Sequence, residues 1–145
     1  MKRFLLLFCF LAGLQLPIMA MKTDRTLLAE VNLGHISQAI KLIESGTDLD
    51  KQNTTGATAL MIATTRGYET IVDALIDVHA NLDLQDSDGW TGLMMATING
   101  RANIVQRLIT AGADKTLKNR DGETARSLAA GDTEILKILD HADAV

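Results

Sequence analysis

Apolar residues recur at helical spacing through most of this chain. Ile71 and Val72 are followed by Leu75 and Ile76, and Ile104 and Val105 by Leu108 and Ile109. Each set is an i, i+3, i+4 stripe down one face of a short helix. Ahead of each stripe a second apolar pair, Leu60 with Ala63 and Leu93 with Ala96, lies three residues apart and again shares one face. Polar and glycine positions punctuate these segments. Thr58, Thr91 and Thr124 stand where a hydroxyl caps a helix start, accepting from backbone N–H groups that have no intrahelical partner. Gly67 and Gly100 end the first helix and allow a tight reversal into the second. Gly112 ends the second helix of its unit, and Val78-His79 stands at that place one unit earlier as a weaker stop. Thr55-Gly56, Asp88-Gly89 and Asp121-Gly122 read as hairpin tips. The pattern predicts pairs of short helices joined by tight turns, each pair followed by a hairpin loop.

The units repeat. Gly34, Gly67 and Gly100 are spaced 33 residues apart. The segment 56–63 aligns with 89–96, 71–76 with 104–109, and 80–83 with 113–116. A shorter fourth copy starts at Asp121, and its Gly131 comes 31 residues after Gly100, which places a two-residue deletion in the turn between its helices. A degenerate first copy shows in Leu27-Leu28-Ala29, Gly34-His35 and the run 42–50. The expected organisation is therefore repeats at about 23–54, 55–87, 88–120 and 121–140, then a short tail, 141–145. A single unit cannot bury its own apolar face, so about three or more must stack. Gln38 replaces the Ile71 and Ile104 of the middle copies, and Arg126 replaces Leu60 and Leu93, so the end copies read as polar caps of a complete array.

The string Asp88-Gly89-Trp90-Thr91-Gly92-Leu93-Met94-Met95-Ala96, with Gly100, Ile104-Val105, Leu108-Ile109 and Ala111-Gly112-Ala113-Asp114, closely resembles the ankyrin repeat, and the resemblance runs from about Thr23 to Asp140. It implies an all-α repeat solenoid of about four stacked helix-turn-helix units: two full repeats between a degenerate first and a shortened fourth. The sequence departs from the family at two places. Ala59, Gly92 and Ala125 replace the usual proline, and Met61, Met94 and Ser127 replace the histidine that hydrogen-bonds between repeats. The resemblance also implies protein binding without catalysis, on a concave face made by hairpin tips and first helices. Those positions are Thr54, Thr55 and Ala57, then Ser87, Asp88 and Trp90, then Arg120, Asp121 and Glu123, with Thr65, Arg66, Ile98 and Asn99 from the first helices. The small exported ankyrin proteins of bacteria look most similar. Their suggested roles include support of a periplasmic catalase and immunity to secreted toxins.

The N-terminus changes where this scaffold is expected to work. Lys2 and Arg3 precede an apolar run from Phe4 to Leu14, and Ala20 offers a small residue before Met21, which is the layout of a cleaved secretory signal over residues 1–20. The run is shorter than the ~20 residues of a membrane-spanning helix. An uncleaved anchor reaching from Phe4 to Ala20 is the alternative; a lipoprotein is disfavoured because Cys9 lies mid-run. Cleavage removes Cys9, the only cysteine, which suits an oxidising periplasm or exterior. It also removes two of the 14 basic residues that face 18 acidic ones, taking the net charge from −4 to near −6. Such a charge disfavours nucleic acid or an anionic membrane as partner. A monomeric protein-binding domain over residues 21–145 is the expectation.

Candidate chemistry adds little to this. His35, His79 and His141 fall in different copies, and no metal-ligand spacing joins them. None of Ser37, Ser45, Ser87 and Ser127 sits in a nucleophile elbow, so no catalytic residue is assigned. Asp83, Asp86 and Asp88 alternate as calcium ligands do, but without the glutamate such a loop needs, and a solvated acidic tip is favoured. Met61, Met94 and Met95 are read as packing rather than as a soft-metal cluster. A small-molecule, metal or haem carrier is the alternative function, and no cofactor is assigned. Asn53-Thr54-Thr55 matches a glycosylation acceptor. Trp90 stands where the other copies have Ala57 and Glu123, so the repeat itself does not demand an indole. Partner contact is favoured for it, with packing on a neighbouring finger as the other reading.

Overall fold

The computed structural model describes residues 26–141. The export signal, with its cleavage between Ala20 and Met21, lies outside the described residues, as do residues 142–145 of the tail. Within them eight helices follow in pairs: α1 (Leu27–Leu33) and α2 (Ile36–Glu44), α3 (Ala59–Arg66) and α4 (Glu69–Asp77), α5 (Gly92–Ile98) and α6 (Ala102–Thr110), α7 (Ala125–Leu128) and α8 (Thr133–His141). The first helices pack side by side in one layer and the second helices in another, each repeat packing against its neighbours in the stack. This is the all-helical solenoid that the 33-residue period predicts.

The starts of the first helices are set locally. The side chains of Thr26, Thr58, Thr91 and Thr124 accept from the backbone N–H three residues on, at 3.2–3.3 Å. The apolar stripes then form one continuous core: Leu60, Ala63, Ile71, Val72 and Leu75 in the second repeat, and Leu93, Ala96, Ile104, Val105 and Leu108 in the third, are all buried. Close packing between first helices depends on Gly92, where an added Cβ meets the Leu60 side chain at 3.3 Å. Gly67 closes α3 at φ 77, and the Arg101 guanidinium of the next repeat lies against it, 3.0 Å from where a Cβ would stand. The weaker stop at Val78-His79 is real: His79 takes φ 59, the left-handed conformation held by Gly46 and Gly112 at the equivalent places.

The fourth copy is shortened differently from the expectation. The two-residue shortfall removes the last turn of α7, which has only four residues, and not the turn between helices. Ala129 keeps the buried place of Ala63 and Ala96, so packing pins the chain up to that alanine, and only residues beyond it can be lost. Arg126 at this end is exposed and pairs with Asp140, Nε to Oδ1 at 2.7 Å, while Gln38 at the other end is half-buried. Glu30 of the degenerate first copy occupies the buried alanine position, and its Oε2 lies 2.9 Å from His35 Nδ1. In the second-helix layer Arg107 bridges Asp73 and Glu69 of the preceding repeat. Among the described residues no buried side-chain polar atom lacks a partner.

Candidate functional site

The hairpin fingers are built by one side chain each. Asn53 Oδ1 accepts from the N–H groups of Thr55 and Ala57, Asp86 Oδ1 from those of Asp88 and Trp90, and Asn119 Oδ1 from those of Asp121 and Glu123, all at 2.9–3.0 Å. Short polar side chains that bond to backbone two and four residues ahead hold such turns without strands. Neighbouring fingers are then joined edge to edge. Ser87 donates from both its backbone N–H and its hydroxyl to the Thr55 carbonyl, and the Arg120 N–H donates to the Asp88 carbonyl at 2.9 Å. Gln52 and Gln85 each bridge from their own finger to the next, reaching the Gln85 and Lys118 carbonyls.

This geometry sorts the residues expected on the binding face. Thr55, Ser87, Asp88, Arg120 and Glu123 are engaged within the array: Asp88 with the Arg120 guanidinium at 3.2 Å, Glu123 with the Asn119 amide at 2.9 Å. Thr54 and Asp121 are exposed at finger tips, and Ile98 and Asn99 at the end of α5. Trp90 is half-buried and packs against the core, so the fold accounts for part of the indole that the repeat alignment left unexplained. Ala57, Thr65 and Arg66 are brought together with Asn32, Met61, Ile62 and Met95 around an open groove of about 220 Å³. Thr65 donates to the Met95 sulfur at 3.3 Å, and Arg66 Nη2 donates to Asn32 Oδ1 at 2.9 Å, so the groove crosses three repeats.

The candidate ion sites are taken up differently. Asp83 accepts from the Asp114 N–H, Asp86 organises its own finger and Asp88 meets Arg120, so these carboxylates face three separate partners. No group of three or more His, Cys, Asp or Glu is placed to hold a metal among the described residues, and no helix there is long and apolar enough to cross a membrane.

Two overlapping stretches, residues 27–119 and 78–144, match the family model described as ankyrin repeats in three copies. The chain belongs to the ankyrin-repeat family. No curated protein matches it. Ankyrin repeats generally mediate protein–protein interaction and are typically non-catalytic. On this ankyrin array the sequence reading missed Asn32 and Leu33. Leu33 is 65% exposed at the end of α1, in register with Arg66 and Asn99. The 33-residue spacing carries that register, but the degenerate first copy hides it. Met95, which the sequence assigns to packing, is half-buried and also lines the groove.

Proposed function

We propose that this ankyrin array is a non-catalytic binding module of the periplasm or of the secreted fraction, holding a partner protein on the face shared by fingers and first helices. The observation that carries the reading is the join between fingers: Ser87 bonds to Thr55 and Arg120 to Asp88, so the surface is ordered before any partner arrives. A preorganised surface loses little conformational entropy on docking. Export rests on the residue pattern of 1–20, and the role is that of the small exported bacterial ankyrin proteins: support of a periplasmic enzyme such as catalase, or immunity to a secreted toxin.

The test is capture from the native periplasmic fraction on immobilised mature chain, with mass spectrometry of what co-elutes. Thr54→Arg and Trp90→Ala are run beside the wild type, with circular dichroism as the fold control. One partner retained by the wild type and reduced at least tenfold by either variant supports the reading. Equal retention by all three, or no retained protein, overturns it. Export is checked separately by fusing residues 1–25 to a phosphatase active only outside the cytoplasm.

A further inference from the structure

Positive charge is scarce on this protein, whose net charge is −4, and its placement is uneven. Among the described residues three arginines are matched to carboxylates: Arg107 to Glu69 and Asp73, Arg120 to Asp88, and Arg126 to Asp140. Arg66 and Arg101 are not. Arg66, the last residue of α3, donates only to the neutral Asn32 amide, which orients the guanidinium and leaves its charge uncompensated. Arg101 folds back over Gly67, the residue next to Arg66, so both guanidinium groups belong to the same turn. The only acidic residue in the four first helices is Glu30, which is buried beside His35. A carboxylate arriving at this edge therefore meets two cations that have no carboxylate partner, and no exposed anion of the first helices themselves.

The same edge is apolar. Leu33, at the end of α1, is 65% exposed, and Ile98, at the end of α5, is 56% exposed, one on each side of the Arg66 repeat. Between them lies the groove lined by Met61, Ile62 and Met95. Exposed aliphatic side chains beside an apolar groove mark interaction surfaces, and methionines adapt such a groove to varied side chains. Guanidinium groups recognise planar carboxylates through paired N–H donors.

We propose that the C-terminal ends of α1, α3 and α5, where Arg66 and Arg101 stand without carboxylate partners between Leu33 and Ile98, dock a protein segment that presents carboxylates beside aliphatic side chains. An aliphatic residue of that segment enters the groove while its acidic neighbour bonds to Arg66. The inference rests on the reading above that the array binds a protein, and it names which part of the face makes contact and with what chemistry. The long-range field of an acidic protein opposes an acidic partner, so attraction acts only at short range, within about one Debye length, ~8 Å at physiological salt. This favours a short acidic-aliphatic segment over a polyanion.

The probe is a fluorescein-labelled dodecapeptide with two adjacent glutamates flanked by leucines, titrated by fluorescence anisotropy against the mature chain. Matched peptides carry Gln for Glu, or Ser for Leu, and a phosphorylated peptide and a single-stranded oligonucleotide complete the set. The proposal expects saturable binding of the Glu/Leu peptide, at least tenfold weaker binding by the Arg66→Gln/Arg101→Gln variant, and a similar loss with the Gln peptide. Leu33→Ser with Ile98→Ser, or the Ser peptide, is expected to weaken binding several-fold. No binding of the Glu/Leu peptide overturns the proposal, as does equal binding of the Gln peptide, equal binding by the arginine variant, or tighter binding of the phosphopeptide or oligonucleotide. Circular dichroism and Tm establish that each variant is folded. The same arginine variant is carried through partner capture. If it retains the partner while Thr54→Arg or Trp90→Ala loses it, the docking site is wrong and the function of the array stands.

Discussion

The sulfur of Met61 accepts the backbone N–H of Thr58 across 3.4 Å, closing the first turn of α3 from the opposite direction to the threonine hydroxyl. At the equivalent place in the fourth repeat the Ser127 hydroxyl does the same for Thr124, at 2.9 Å. The family histidine has thus been replaced twice by another acceptor within its own repeat. A buried N–H left without an acceptor costs about 1–3 kcal/mol, and a thioether is a weak acceptor, so the low end applies. Met61→Leu, which conserves volume, is expected to lower stability by about 1 kcal/mol in urea unfolding. Met94→Leu is the packing control, because Met94 is equally buried and no such bond reaches it. Equal losses in the two variants would show that the sulfur bond contributes nothing.

Two glycines with similar backbone angles are expected to respond differently to alanine. Gly56 has φ 80 and Gly112 φ 90, but a Cβ at Gly56 meets the Ser87 nitrogen at 2.7 Å and Asp86 Cα at 2.9 Å, while nothing lies within 4 Å at Gly112. Gly112→Ala bears only the left-handed penalty, about 1–2 kcal/mol. Gly56→Ala must also push the next finger away, and is expected to lose more than about 3 kcal/mol of stability. Denaturant titration of both variants checks the order, and the Gly56 variant should also lose partner capture.

His79 holds a left-handed backbone that two other repeats assign to glycine. His79→Gly is therefore expected to raise stability by about 1 kcal/mol, or several degrees in Tm for a domain of this size. A lower Tm in the variant would mean that the histidine side chain contributes more than its backbone strain costs.

Asp114 is held below the ordinary aspartate range, first by the Thr116 hydroxyl, which donates to Oδ1 at 2.6 Å, and then by the Thr116 N–H at 2.8 Å. A carboxyl depressed in the folded state contributes stability that is complete above the unfolded value, about 3.9, and is lost as pH falls through the lower folded value. Asn81 fills the equivalent place one repeat earlier with the same turn geometry, so Asp114→Asn keeps the acceptor and removes the titration. The stability gap between wild type and this variant is expected to narrow as pH falls below about 4. A gap that stays constant from pH 6 to 2.5 would assign the contribution to geometry and not to charge.

The period, the capping threonines, the stop glycines and the apolar stripes were all legible in the sequence. Each is a local requirement repeated every 33 residues, and repetition makes weak signals unambiguous. The places of the fingers and first helices, on which the proposed binding face rests, follow from register alone. Tertiary structure decided what those positions do. Whether Ser87 and Arg120 face a partner or join neighbouring fingers depends on the distance between repeats, which no single repeat encodes. Trp90 proved half-buried because the core reaches under its finger. The missing residues of the fourth copy fell in α7 because packing pins Ala129. And Arg66 and Arg101 lack carboxylate partners because the first helices, assembled from residues far apart in the chain, bring them no exposed carboxylate. Local chemistry determines which element forms; the pairing of charges and the apolar surface left exposed are decided only when the elements stack.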